Sequence, residues 1–502
     1  MRSLSTLFKS SNASRRRRSK SWLGESLESR ELLTATAGAL VRDYSPSSTY
    51  ADPQSGTVQY SRFFRVSING SAANDGTGAA TATNYEEGIR IGTDFSQTGD
   101  FNGDGLQDVL GESGGKMTVA LNLNTGSDFG IITDWGTIDP GSGANTYPLW
   151  VDGSGGRYLI GDFNGDGKSD LCDIRSSSTS GVNEFHVALS TGTSFGAWQN
   201  WGSFSSGTAN FRIGDLNGDG KADILATTTT TGNYPWKWAV WTTNASGTAF
   251  SPPIISTEDI ASPFPQYVPA YIEIRLGNFD GNTSNGLEMA FRATTGRGYD
   301  SATHQAKLNN SVWRTWDFRT TNLIRNVYTG TAWAESVPIA PSYSSYDERG
   351  FQNIRVGDFG NYSGSTADDV MGRDRYGNIH VLFSTGGVGS WSFNDQLINP
   401  TSPFTAGVTN PYQSGYHDNG NGIGFLGVYS GNFVNNTTAT GLDETMWIDN
   451  SNVYLTTFSG VAGAVTSTTT LRGTFTSPTY WATPVNMDGG SWFGGKHGFG
   501  LF

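Results

Sequence analysis

One pattern limits the folds open to this 502-residue chain: an eleven-residue segment that recurs. Gly161-Asp162-Phe163-Asn164-Gly165-Asp166-Gly167-Lys168-Ser169-Asp170-Leu171 is echoed by Gly214-Asp215-Leu216-Asn217-Gly218-Asp219-Gly220-Lys221-Ala222-Asp223-Ile224. An earlier copy is Gly99-Asp100-Phe101-Asn102-Gly103-Asp104-Gly105-Leu106-Gln107-Asp108-Val109. Worn copies begin at Gly277, Gly357 and Gly431, and successive copies are 62, 53, 63, 80 and 74 residues apart. That period exceeds a helical solenoid unit and suits one four-stranded sheet with its loops. Each copy follows a short alternating segment, as in Phe211-Arg212-Ile213 or Ile354-Arg355-Val356, and precedes an apolar run. A third strand such as Phe185-His186-Val187-Ala188-Leu189 and a tryptophan strand such as Asn200-Trp201 complete the unit. Period-two alternation between Gly, Asn and Ser turns is a strand signal, and no helical period persists for three turns.

Sheets repeated along one chain bury their faces only against one another, and radial stacking leaves short, protected edges. The expected fold is therefore an all-β propeller of four-stranded blades. Six repeats are visible. A seventh blade, assembled from strands around Val58–Tyr60 and Phe63–Ile68 with the C-terminal segment Tyr480–Phe502, makes seven the expected count and six the alternative. The expected organisation is a leader over 1–42 and one propeller over 43–502.

Composition supports this division. Glycine contributes 67 residues, and charged residues make up only 15%. Nine Lys/Arg and three Glu give residues 1–42 a charge of +6, which leaves −19 for the remainder within the whole-chain −13. So acidic a body is a poor partner for nucleic acid, whose phosphates need clustered Lys and Arg. A single cysteine, Cys172, excludes an internal disulfide framework, and no apolar run is long enough to span a membrane as a helix. The basic block Arg15–Arg18 with Lys20 reads as a positive n-region, and Ala35-Thr36-Ala37 as a cleavage candidate. Within it, Leu27-Glu28-Ser29-Arg30-Glu31-Leu32-Leu33 resembles the LEPR-XLL motif of large exported bacterial proteins, with Ser29 in place of proline. That resemblance implies export, to the cell surface or beyond.

The repeated loop has the chemistry of a calcium site. Side-chain oxygens fall at positions 1, 3, 5 and 9, a main-chain carbonyl is offered at 7, and glycine at 6 permits the sharp turn. Ca²⁺ takes six to eight oxygen ligands, and this spacing turns alternate side chains inward. The expected ligand sets are Asp100, Asn102, Asp104, the Leu106 carbonyl and Asp108; Asp162, Asn164, Asp166, the Lys168 carbonyl and Asp170; and Asp215, Asn217, Asp219, the Lys221 carbonyl and Asp223. About three ions are thus expected. An Asx-rich turn that binds nothing is the plainer alternative for any one such loop. The worn copies depart from the pattern. The fourth has Asn278, Asp280, Asn282 and a displaced Glu288. The fifth has Asp358 far from Asp368 and Asp369, and the sixth offers Asn432, Asn435, Asn436, Asp443 and Glu444 without clear register. These loops are expected to keep the turn without the ion. EF-hand and dockerin readings need flanking helices, and EF-hands a glutamate at position 12, where this chain has Gly111, Asp173 and Ala226.

On these residues the chain resembles the FG-GAP/VCBS repeat of integrin α-chain propellers and many bacterial surface proteins. The resemblance implies calcium on one face of a ring and a secreted adhesion or binding module for an extracellular protein or glycan. It also leaves room for lectins and for propellers attached to polysaccharide-degrading enzymes, because fold does not fix function. Catalytic motifs are poor. Gly111-Glu112-Ser113-Gly114-Gly115 fits G-x-S-x-G but lies within a blade rather than at a strand-to-helix turn. Gly167-Lys168-Ser169 lacks the phosphate-loop glycine, having Asp162 in its place. The five histidines show no metal spacing, and Cys172 sits in an apolar strand. Trp236, Trp238 and Trp241, like Trp313 and Trp316, read as inter-blade core, with sugar stacking as the sharper alternative.

Overall fold

In the computed structural model the described residues are 38–43, 49–52, 56–68, 80–84, 91–92, 96–105, 108–113, 115–122, 132–138, 158–229, 236–260, 273–294, 297–300, 305–308, 311–329, 351–360, 367–374, 379–398, 427–431, 442–448, 452–460 and 464–474. They form six four-stranded antiparallel sheets in succession, one for each copy of the repeat. The first strands of blades 1 to 6 are Ser96–Gly99, Leu159–Gly161, Ala209–Gly214, Glu273–Gly277, Phe351–Gly357 and Gly427–Gly431. These first strands pack against one another from blade 1 to 2, 2 to 3, 4 to 5 and 5 to 6, which makes them the innermost strands of a propeller.

The expected seventh blade takes another form. Gly56–Ile68 pairs with Gly38–Asp43, Thr49–Asp52, Ala80–Asn84 and Ile91–Gly92 in a five-stranded sheet of N-terminal strands. This sheet touches the second strand of blade 1, Asp108–Ser113, and the fourth strand of blade 6, Thr466–Thr474. The described four-stranded count is six. The C-terminal segment 475–502 and the leader up to residue 37 lie outside the described residues.

The core is divided into slabs between consecutive blades. Five hydrophobic clusters fill the five interfaces from blade 1–2 to blade 5–6. Middle strands are therefore covered on both faces. Ile379–Ser384 is buried throughout, whereas the outer strand Gln199–Ser205 buries only Trp201 and Phe204. The side chain at loop position 2 plugs each slab: Phe101, Phe163, Leu216, Phe279 and Phe359 are all at most 1% exposed, and each belongs to the interface with the following blade. Phe163, for example, meets the edges of Trp201 and Phe250. Trp238, Trp241, Trp313 and Trp316 are buried in these slabs, which removes them as sugar-stacking platforms. Cys172 is buried with them, and burial pushes its thiol well above the usual range, as expected of an inert core residue. Among the described residues, no helix is long and apolar enough to cross a membrane.

Candidate functional site

The repeated loop joins the first and second strands of each blade, and strand register fixes its base. In all six blades the first glycine of the motif faces an acid across the ladder: Gly99 with Asp108, Gly161 with Asp170, Gly214 with Asp223, Gly277 with Glu288, Gly357 with Asp369 and Gly431 with Glu444. The worn copies are thereby aligned. Glu288, Asp369 and Glu444 occupy the place of position 9, and each is buried.

Position 1 gathers the loop. Asp162 Oδ1 accepts the N–H groups of Gly165 and Asp166 at 2.7 and 3.0 Å, and Oδ2 accepts that of Gly167 at 2.8 Å. Asp100 and Asp215 repeat this arrangement with Gly103, Asp104 and Gly105, and with Gly218, Asp219 and Gly220. The turn needs left-handed backbone at positions 4 and 6, where Gly165 and Gly167 have φ of 80° and 84°. Position 3 accepts the position-5 N–H, at 2.9 Å for Asn102, Asn164 and Asn217. Position 5 lies at the loop's outer edge, where Lys168 Nζ reaches Asp166 at 2.8 Å and Lys221 Nζ reaches Asp219 at 3.0 Å.

Position 9 ties the loop to the rest of its blade. Asp170 Oδ2 accepts Phe163 N–H at 3.0 Å, while Oδ1 accepts Ser190 N–H at the end of the third strand at 2.7 Å. Asp108 holds Phe101 and Asn122 in the same way, and Asp223 holds Leu216 and Thr243. Asp369, in a blade whose loop has lost the ligand spacing, still holds Phe359, Gly360 and Ser384. In blade 4 the longer Glu288 accepts Asp280 N–H and forms an ion pair with Arg319 at 2.6 Å.

The loops are also chained to one another. The N–H just before each position-9 acid donates to the position-1 carbonyl of the preceding blade. These bonds run from Ser169 to Asp100, Ala222 to Asp162, Leu287 to Asp215, Asp368 to Asn278 and Asp443 to Asp358, all at 2.7–2.9 Å. Where the residue before the acid is itself aspartate, the bond is reciprocated: Asp368 accepts Asn278 N–H at 2.6 Å, and Asp443 accepts Asp358 N–H at 2.9 Å. Ser190 and Ser384 add hydroxyl bonds to Phe101 and Phe279 carbonyls of the preceding blade. None of these links follows from the loop motif alone. The Ser-Thr-Gly triplets at 190–192 and 384–386 are the sequence trace of the hydroxyl bonds.

Burial is the largest influence on these acids. It raises Asp100 to about 6 and Asp108 to about 8, with neighbouring carboxylates adding to the rise and main-chain N–H groups opposing it. Asp162 and Asp215 are raised for the same reasons, and Asp170 and Asp223 well above the carboxylate range. Among the described residues no three His, Cys, Asp or Glu side chains converge as a ready metal cluster. The oxygen count nevertheless suits a hard cation. An ionised carboxylate has about four lone-pair sites, of which position 1 uses three and position 9 two. Leu106 lies outside the described residues, whereas the other expected ligands all fall within their three loops.

Residues 162–226, from position 1 of one loop through the second strand of the next blade, match the model of the FG-GAP-like repeat family. The chain carries FG-GAP-like repeats. A search of curated protein sequences finds no match. Among solved structures, this FG-GAP propeller is similar to an Agrocybe aegerita lectin described as recognising non-reducing terminal N-acetylglucosamine. The two share 11% identity at a TM-score of 0.53, over 93% of this chain and 94% of that one. That likeness is one of fold. A Lactobacillus plantarum protein matches at 9% identity and a TM-score of 0.36, over 88% of this chain and 98% of that one. A Bacillus licheniformis rhamnogalacturonan lyase matches at 12% identity and 0.29, over 87% and 64%. Neither of those two scores establishes a shared shape.

Proposed function

We propose that this FG-GAP propeller is an exported, calcium-stabilised binding module for an extracellular protein or glycan and carries out no catalysis of its own. The observation that carries this reading is the threefold repetition, in blades 1 to 3, of one loop geometry with the same oxygen donors. Positions 1, 3 and 5, the position-7 carbonyl and the remaining lone pairs of position 9 would hold each ion. A bound cation would offset the buried carboxylate charge that burial and like-charge proximity now oppose. Blade 4 supplies its own cation, because Arg319 pairs with Glu288 there.

Lectin-like glycan recognition is the narrower form of this reading, favoured by the fold shared with the Agrocybe aegerita lectin. A polysaccharide-degrading role has no comparable support. Ser113 lies in a hairpin strand of blade 1, paired with Lys116. His186 lies beside Arg175 and Glu184 on neighbouring strand positions, and the buried His380 lies beside Asp395 of the adjacent strand. A glycan array probed with the secreted protein, with and without EDTA, tests the reading. Binding that calcium sustains supports it; turnover of a polysaccharide by the purified chain would overturn the non-catalytic assignment.

A further inference from the structure

The loops of blades 2 and 3 carry lysine at position 7, and each lysine makes a contact that the oxygen spacing does not require. Lys168 closes on position 5 of its own loop at both carboxylate oxygens. Its N–H donates to Asp166 Oδ1 at 3.0 Å and its Nζ to Oδ2 at 2.8 Å. Lys221 repeats this on Asp219, with both bonds at 3.0 Å. Both oxygens of each position-5 acid are thus engaged by the residue two places on. Asp166 Oδ2 also accepts Asn164 Nδ2, at 3.2 Å.

Neighbouring turns hold the lysine stems in place. Side-chain exposure is 24% for Lys168 and 14% for Lys221, low for a residue type found mostly in solvent. Glycines make the room. A Cβ on Gly103 of the blade 1 loop would lie 3.0 Å from Lys168 Cγ, and one on Gly192 would lie 3.5 Å from its Cε. A Cβ on Gly165 of the blade 2 loop would lie 3.2 Å from Lys221 Cγ. Each stem therefore lies across position 4 of the preceding loop and brings its ammonium to position 5 of its own.

The affinity of an oxygen site for a hard cation follows the charge its ligands carry. An ammonium bonded to one of those acids cancels part of that charge and repels a divalent ion beside it. Oδ2 can turn to a cation only as Nζ leaves it. A part-exposed ion pair adds little to folding itself, so the lysine weighs on ion binding more than on the calcium-free loop. Blade 4 carries the same device further, with Arg319 paired to the position-9 acid Glu288.

We infer that Lys168 and Lys221 set the calcium affinity of the loops of blades 2 and 3, each competing for the position-5 carboxylate of its own loop and weakening binding there. The inference rests on the calcium reading proposed above and fails separately from it: loops that bind calcium without regard to these ammonium groups keep that reading and lose this one.

The test is hydrogen exchange of the full chain across a calcium titration, read by mass spectrometry on peptides covering residues 161–171 and 214–224, so that each loop is followed by itself. Lys168→Met keeps a straight stem and removes the ammonium. It moves the calcium midpoint of the blade 2 loop about tenfold lower, leaves that of the blade 3 loop in place, and barely alters exchange in EDTA. Lys221→Met shifts the blade 3 loop instead. Lys168→Arg keeps the charge and stays near the native midpoint. The shift caused by Lys168→Met shrinks as salt rises, because screening weakens the ammonium's repulsion, whereas an effect of packing alone would not follow salt. Lys168→Gln gives the same readout where the methionine variant fails to fold. Native midpoints in the methionine variants, or an equal shift in Lys168→Arg, overturn the inference and leave calcium binding standing. No calcium response in either loop, native or variant, overturns both.

Discussion

At the scale of single residues, the repeated loop assigns different work to acids that look alike in the sequence. Asp170 is a clasp between its loop and the third strand, whereas Asp166 lies at the loop's outer edge against Lys168. Asp170→Ala removes the acceptor of two buried N–H groups and should cost about 2 kcal/mol or more in urea unfolding, with calcium present or absent. Asp166→Asn should leave calcium-free stability nearly unchanged and diminish only the gain on adding the ion. Phe163→Ala opens a void in the slab between blades 2 and 3 and should cost about 3–5 kcal/mol by the same measurement. The loop spacing made Asp170 legible as an acid of the site. Its clasp was not legible, because the partner Ser190 is twenty residues away and joins it only through strand register.

At the scale of elements, the loop is a turn whose neighbours decide what each glycine tolerates. Gly165 and Gly218 share position 4 and a φ of 80°. A Cβ on Gly165 would meet the flexible Lys221 side chain at 3.2 Å, while one on Gly218 would lie 2.5 Å from the Ser284 carbonyl of blade 4. Gly218→Ala should therefore lower the melting temperature more than Gly165→Ala, although both pay the backbone cost of about 1 kcal/mol. The first three blades were legible as sheets because glycine, aspartate and asparagine mark the same turn at matching intervals. Blades 5 and 6 were harder, since Asp369 and Glu444 are separated from their motif glycines by longer loops. Only the pairings Gly357–Asp369 and Gly431–Glu444 restore their alignment. The N-terminal strands misled for a related reason. Phe63–Ile68 alternates like a blade strand, but the long Gly56–Ile68 strand recruits partners from its own end of the chain.

At the scale of the whole molecule, apolar slabs and a chain of loop-to-loop hydrogen bonds link the blades in series, and many of the body's acids are buried along that chain. Asp100, Asp108 and Glu288, at about 6, 8 and 7, hold protons more tightly folded than unfolded. Their contribution is complete below about pH 4, where both states are protonated, and is lost as pH rises through the folded values. In EDTA the melting temperature should therefore fall between about pH 4 and pH 8, and saturating calcium should flatten that fall by offsetting the carboxylates of blades 1 to 3. Ion binding by these three blades is the proposal on which the rest depends. The most direct measurement is anomalous diffraction from crystals grown in calcium, paired with melting curves of the same protein in calcium and in EDTA. One ion is expected in each loop of blades 1, 2 and 3, none in blade 4, where Arg319 pairs with Glu288, and a higher melting temperature with calcium. Ion-free loops in all three blades, with melting curves that coincide, would contradict it.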